Sequence, residues 1–162
     1  MADISQHSRF LAAQGYLELG MPNESWEELA AIEPPLCDHP EVSTLKLRLL
    51  IEEKRWDEGI ELANSLWDGT IGTAGMRIHS AYCLHELGRT IEARDLLLSA
   101  SEHLGVEPTF HYNLACYAAV LGDYDEARVH LQAAFDLDGD LRKQAQNDPD
   151  LDSVRDLIEQ LG

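Results

Sequence analysis

The chain has 162 residues, enough for one domain, and is 44% hydrophobic, so it can bury a core without disulfides or metal. Thirty acids against twelve bases give a net charge of −18, which argues against nucleic-acid binding and against electrostatic docking to an acidic membrane. There is no basic-then-apolar leader at the start and no apolar run of about 18 residues, and the three cysteines (Cys37, Cys83, Cys116) lack disulfide spacing. Together these features point to a cytoplasmic protein.

Helical patterns follow one another along the chain. The first pair is expected over Ser5–Leu19 and Asn23–Ile32. A linker, EPPLCDHP, places Cys37 in solvent before a second pair, Glu41–Glu53 and Trp56–Trp67. The third pair is Met76–Leu87 and Thr90–Glu102, joined through Gly88. In the fourth, Pro108 opens a helix over Thr109–Leu121. Gly122 suits the left-handed residue that ends it, and Asp123 with Glu126 forms an acidic capping box for a helix running to Leu137. After Asp140 come a short helix in LRKQAQ, a break at Asn147-Asp148-Pro149, and a last amphipathic helix carrying Leu151, Val154, Leu157, Ile158 and Leu161. The acids of this tail are expected to be solvated around an end cap.

The four pairs share a period. Gly20, Lys54, Gly88 and Gly122 lie 34 residues apart, as do Ala13, Leu47, Ala81 and Ala115. Ser25, Gly59, Ala93 and Ala127 make a third column, and Leu29, Ala63, Leu97 and Leu131 a fourth. Unbroken phase at this length marks stacked helix–turn–helix units. Boundaries near 6–39, 40–73, 74–107 and 108–141 follow, with a cap over 142–162, in one domain of 1–162.

The stretch Tyr112–Asp138, with its Leu114–Ala115 pair, its turn from Gly122 to Ala127 and the later Ala134, resembles the tetratricopeptide repeat family. The third unit matches through Ala81, Gly88, Ala93 and Ala100; the first two are more degenerate, with Lys54, Ser25 and Gly59 at the family's small positions. The resemblance implies an all-α, right-handed solenoid of four repeats plus a C-terminal capping helix, as a small stand-alone protein. It further implies that the first helix of each pair lines a concave groove. By repeat phase the groove would hold Phe10, Gln14 and Glu18, then Arg48 and Glu52, then Ile78, Tyr82 and Glu86, then Tyr112 and Cys116. Glu18, Glu52 and Glu86 form a carboxylate column, broken at Val120, beside the aromatic Phe10, Tyr82 and Tyr112. Acids would orient a basic segment while aromatics anchor its apolar side chains.

Catalytic signatures are missing. The chain has no glycine-rich phosphate loop and no Gly-x-Ser-x-Gly elbow, and its carboxylates are scattered. His79, Cys83 and Glu86 share a helix stripe, but their spacing fits no standard zinc site. The expectation is a non-enzyme with no catalytic residues, metal or cofactor. The family's Lys, Arg and Asn clamp for carboxylate tails is absent, since its columns hold Phe10, Gln14, Leu45, Gly75 and His79. The expected partner is a basic or apolar protein segment, bound by a monomer or weak homo-oligomer acting as adaptor or scaffold. Type III secretion chaperones are similar in size and acidity, so holding one client protein is an alternative, as is a structural homo-oligomer.

Overall fold

The computed structural model describes residues 2–66 and 74–161. Every regular element among them is helical, with no strand, and no helix is long and apolar enough to cross a membrane. The chain divides into two compact units, Met1–His79 and Ser80–Gly162.

In the first unit, α1 (Ala2–Glu18) packs on α2 (Pro22–Ala30), and α3 (Pro40–Glu52) packs on α4 (Trp56–Leu66). Pro22 and Pro40 occupy first helical turns, where a missing N–H costs nothing. The core gathers Phe10, Ala13, Leu17, Leu29, Ile32, Val42, Leu45 and Leu49. Ser25 is fully buried and donates its hydroxyl to the Ala13 carbonyl at 2.7 Å, so the serine in an otherwise small-apolar column is satisfied. Cys37 departs from its expected solvent position: it is half-buried and packs against this core, which raises its thiol pKa through desolvation and then a hydrogen bond with Asp38. Trp67, the expected end of the fourth helix, lies outside the described residues.

Helix α5 (Ala74–Glu86) leads into the second unit. There α6 (Thr90–Leu98) is followed by the single turn α7 (Ser101–Leu104), then α8 (Pro108–Leu121) and α9 (Tyr124–Leu137). The continuous helix expected over Thr90–Glu102 is broken at Ser99 and Ala100. At the break, Ser99 donates its hydroxyl to the Leu96 carbonyl at 2.7 Å. Helices α8 and α9 make the most extensive helix pair in the unit, with Leu114, Ala115, Ala118, Ala127, Leu131 and Ala134 fully buried. The tail continues as α10 (Leu141–Ala145), a 3₁₀ turn over Pro149–Val154, and α11 (Arg155–Gln160). It seals the unit with buried Leu151, Val154 and Ile158.

The 34-residue spacing is written into the backbone. Among the described residues, those with left-handed φ are Gly20, Lys54, Gly88 and Gly122, at +70°, +56°, +75° and +81°. Each turn closes with the same two hydrogen bonds. The residue after the left-handed one donates five residues back, as Asp123 does to Ala118 at 2.8 Å and Arg55 to Leu50 at 2.8 Å. The left-handed residue itself donates three back, as Gly122 does to Ala119 and Lys54 to Ile51. This is the Schellman closure of a helix. Lys54 therefore adopts the conformation that glycine holds at the other three nodes.

Candidate functional site

Each unit carries an open cavity. The one in the first unit, about 470 Å³, is lined by Phe10 and Gln14 of α1 and by Glu41, Thr44, Leu45 and Arg48 of α3. The four-residue spacings bring these side chains to one face of each helix. Phe10 and Leu45 are largely buried in the core, while Gln14 is half-exposed and Arg48 exposed, so the wall mixes polar and apolar surface.

The cavity in the second unit is larger, about 660 Å³. Helix α5 contributes Tyr82, His85 and Glu86; α8 contributes Tyr112, Asn113, Cys116 and Tyr117; the tail contributes Gln144, Asn147, Asp148, Pro149 and Asp150. The tail acids expected to be solvated turn inward here. Asp148 is followed by proline, and its carboxylate accepts the Asp150 N–H at 3.0 Å, which shapes the 3₁₀ turn. Its other oxygen accepts the Tyr112 hydroxyl at 2.8 Å and faces the Cys116 thiol at 3.9 Å. The Asp150 carboxylate lies 3.0 Å from His85 Nε2, while His85 Nδ1 lies 3.0 Å from the Thr90 hydroxyl. A neutral His85 meets both partners by donating from Nε2 and accepting at Nδ1. Its ring also stacks at a tilt on Tyr117, with centroids 4.8 Å apart.

The local potential is negative, and it adds to burial. The Tyr82 phenol is pushed up to about 12 by burial, then by its hydrogen bond to Glu86 and by the nearby carboxylates. Tyr112 is raised by burial and by its bond to Asp148, and the Cys116 thiol by burial and by Asp148 and Asp150. A thiol in such surroundings stays protonated and is a poor nucleophile. Cys116, Asp148 and Asp150 each place one donor atom within 4.8 Å of the others, a spacing a metal could use. Both aspartates already accept hydrogen bonds from the protein, however. In the stripe considered from sequence, Cys83 is fully buried with its thiol raised to about 11, chiefly by burial, while Glu86 is exposed.

The residues expected to face a partner thus separate by exposure. Glu18, Glu52 and Glu86 are all open to solvent, as is Arg48, and Gln14 and Tyr82 are half-exposed. Phe10, Ile78, Tyr112 and Cys116 are buried, the last two beside the tail. Sequence reasoning missed His85 as a bridge and Asp148 and Asp150 as inward-facing groups. The Asp-Pro-Asp sequence was the available signal, because an aspartate before proline is a strong turn and cap former.

Residues 108–141, which comprise α8, α9 and the turn between them, match the tetratricopeptide repeat family. The segment is therefore similar to a tetratricopeptide repeat. Such repeats generally mediate protein–protein interaction. No curated protein matches the chain.

Proposed function

We propose that this protein is a non-enzymatic, cytoplasmic interaction module, an adaptor or scaffold that binds a segment of another protein. In this reading the repeat at 108–141 is the last of four units, with boundaries near 6–39, 40–73 and 74–107, in a right-handed solenoid with a C-terminal cap. The partner lies along the concave face and meets Gln14, Glu18, Arg48, Glu52, Tyr82 and Glu86, with the buried Phe10, Ile78, Tyr112 and Cys116 packed behind them. The tetratricopeptide match carries the reading. The exposure of Glu18, Glu52 and Glu86, one per 34 residues, supports a basic partner.

The test is affinity capture with mass spectrometry, followed by kinetics on the captured partner. Replacing Glu18, Glu52 and Glu86 together by Gln is expected to slow association and flatten its salt dependence. Tyr82→Ala is expected to speed dissociation instead, by about tenfold if the ring is a hot spot. A partner that responds to neither, but does respond to changes on α9, would move the binding surface to the second helices.

A further inference from the structure

The two open cavities stand at the same phase of the 34-residue spacing. Gln14, which lines the first, precedes Tyr82 of the second by two periods, as Thr44 precedes Tyr112. Leu45 and Asn113 correspond in the same way, and so do Arg48 and Cys116. In the second unit the chain itself supplies a carboxylate at this place. Asp148 of the tail accepts the Tyr112 hydroxyl at 2.8 Å and lies 3.9 Å from the Cys116 thiol. The lining of the first cavity comes from α1 and α3 alone, and Arg48 stands there in place of the thiol. One position of the spacing thus faces an internal aspartate in one unit and carries a cation in the other.

Arg48 is also a cation without a counter-ion. It is exposed and its guanidinium has no hydrogen-bond or ion-pair partner among the described residues, although Glu52 stands one turn away on α3. Other arginines of this acidic chain find carboxylates: Arg9 pairs with Glu28, Arg55 with Glu58 and Arg89 with Glu92. The half-exposed Gln14 amide on α1 is likewise unpartnered among the described residues. Thr44 already donates its hydroxyl to the Pro40 carbonyl at 2.8 Å, so it adds no donor. The cavity therefore offers N–H groups from two helices, a forked guanidinium and a primary amide, and carboxylate oxygens can accept from both. Glu41, the acid of the lining, is in the first turn of α3 and about 10 Å along the helix from Arg48.

We infer that the cavity of the first unit receives an aspartate or glutamate side chain of the partner polypeptide, with Arg48 and Gln14 donating to its carboxylate. The inference rests on the protein-binding reading above and names one subsite within it. The tail shows the kind of group this phase of the spacing accommodates, and Arg48 answers its charge where Cys116 cannot. The exposed acids of the same two helices, Glu18, Glu41 and Glu52, are left for bases of the same segment. A lone acid among bases then has one cation to meet, which fixes the register of the segment along the helices.

The experiment follows the Gln14 side-chain amide and the His79 ring by NMR of the full chain. The probes are the peptide acetyl-Lys-Leu-Asp-Leu-Lys-amide, its counterpart with Asn for Asp, and inorganic phosphate alone. The Asp peptide is expected to shift the Gln14 amide in a saturable way. The Asn peptide is expected to bind about tenfold more weakly, although its extra positive charge suits a chain of −18 better. That opposition separates a local carboxylate contact from the long-range field. The Asp peptide is also expected to raise the pKa of His79, because a carboxylate at Arg48 offsets the cation that helps to lower it. Arg48→Gln should abolish the preference for Asp without moving the melting temperature, since the side chain is exposed. Arg48→Lys should restore part of it, because an ammonium keeps the charge but not the fork. Equal or tighter binding of the Asn peptide would overturn the inference, as would a preference for Asp that survives Arg48→Gln. Phosphate displacing the Asp peptide at equal concentration would overturn it too, by making the cavity a site for free anions. A captured protein partner indifferent to Arg48→Gln would remove this subsite and leave the interaction reading standing. Arg48-dependent binding of the Asp peptide without any captured partner would do the reverse.

Discussion

His130 and His111 sit Nδ1 to Nδ1 at 2.9 Å, and His111 Nε2 lies 3.0 Å from the Gly105 carbonyl. The carbonyl can only accept, so His111 donates from Nε2 and accepts at Nδ1, and His130 supplies the shared proton. Burial, and then the neighbouring His111, hold the His130 pKa below its ordinary value of about 6.5. His79 is lowered in the same direction, by burial and then by Arg48. A base whose folded pKa is depressed contributes its stability fully above the unfolded value, and loses it as the pH falls through the folded value. Chemical denaturation should therefore show stability declining from about pH 7 toward pH 5, and His130→Gln should flatten part of that slope. A slope unchanged by the substitution would mean that the histidine pair does not titrate on unfolding. Leu131 tests packing at the same scale. It is fully buried between α8 and α9, so Leu131→Ala should cost about 2–5 kcal/mol. The exposed Glu102→Gln should stay within about 0.5 kcal/mol in the same urea titration.

At the scale of helices, the turns were legible because they depend on local chemistry. Glycine at a fixed interval meant a recurring left-handed residue, and the one exception, Lys54, adopts the same conformation at φ +56°. The exception makes a pair of predictions. Lys54→Gly should stabilise by up to about 1 kcal/mol, since relief of left-handed strain outweighs the greater entropy glycine loses on folding. Gly122→Ala should cost about 1–2 kcal/mol from φ alone, because an added Cβ there would meet no atom within 4 Å. Thermal melts of the two variants should move in opposite directions. The paired helices were legible for a similar reason: small residues at two phases of the repeat, Ala81 with Ala115 and Ala93 with Ala127, are all fully buried. Less legible were features set by tertiary contact. The helix break at Ser99 has no local sequence signal, since serine elsewhere sits inside helices without breaking them, Ser65 of α4 even with the same bond to the carbonyl three residues back. The inward turn of Asp148 and Asp150 depends on Tyr112 and His85, which lie 36 and 65 residues away. No local pattern announces such a contact, and acids in a tail are more often solvated. The candidate site was accordingly half visible. Tyr82, Glu86, Tyr112 and Cys116 came from repeat phase, while the wall opposite them came only with the fold.

Across the whole molecule, 18 uncompensated negative charges act on stability and on binding with opposite consequences. In the folded chain the carboxylates are held closer together than in the unfolded one, so self-repulsion opposes folding. Added salt shortens the screening length, to about 10 Å at 0.1 M, and weakens that repulsion. The ion pairs that salt also weakens are mostly exposed contacts, such as Arg55–Glu58 and Arg89–Glu92, and exposed pairs contribute little. The net expectation is a melting temperature that rises as sodium chloride increases from about 10 to 300 mM. Sodium sulfate should be avoided as the test salt, because it strengthens burial by exclusion whatever the charge. Association with a basic partner runs the other way: the same screening removes the attraction that steers encounter, so the association rate should fall over the same range while dissociation changes little. Replacing Glu18, Glu52 and Glu86 by Gln lowers the net charge to −15 and should blunt both salt responses together. If the melting temperature fell with salt while association slowed, ion pairing rather than self-repulsion would dominate the folded state. The acidic surface would then have to be treated as a structural network instead of a long-range field.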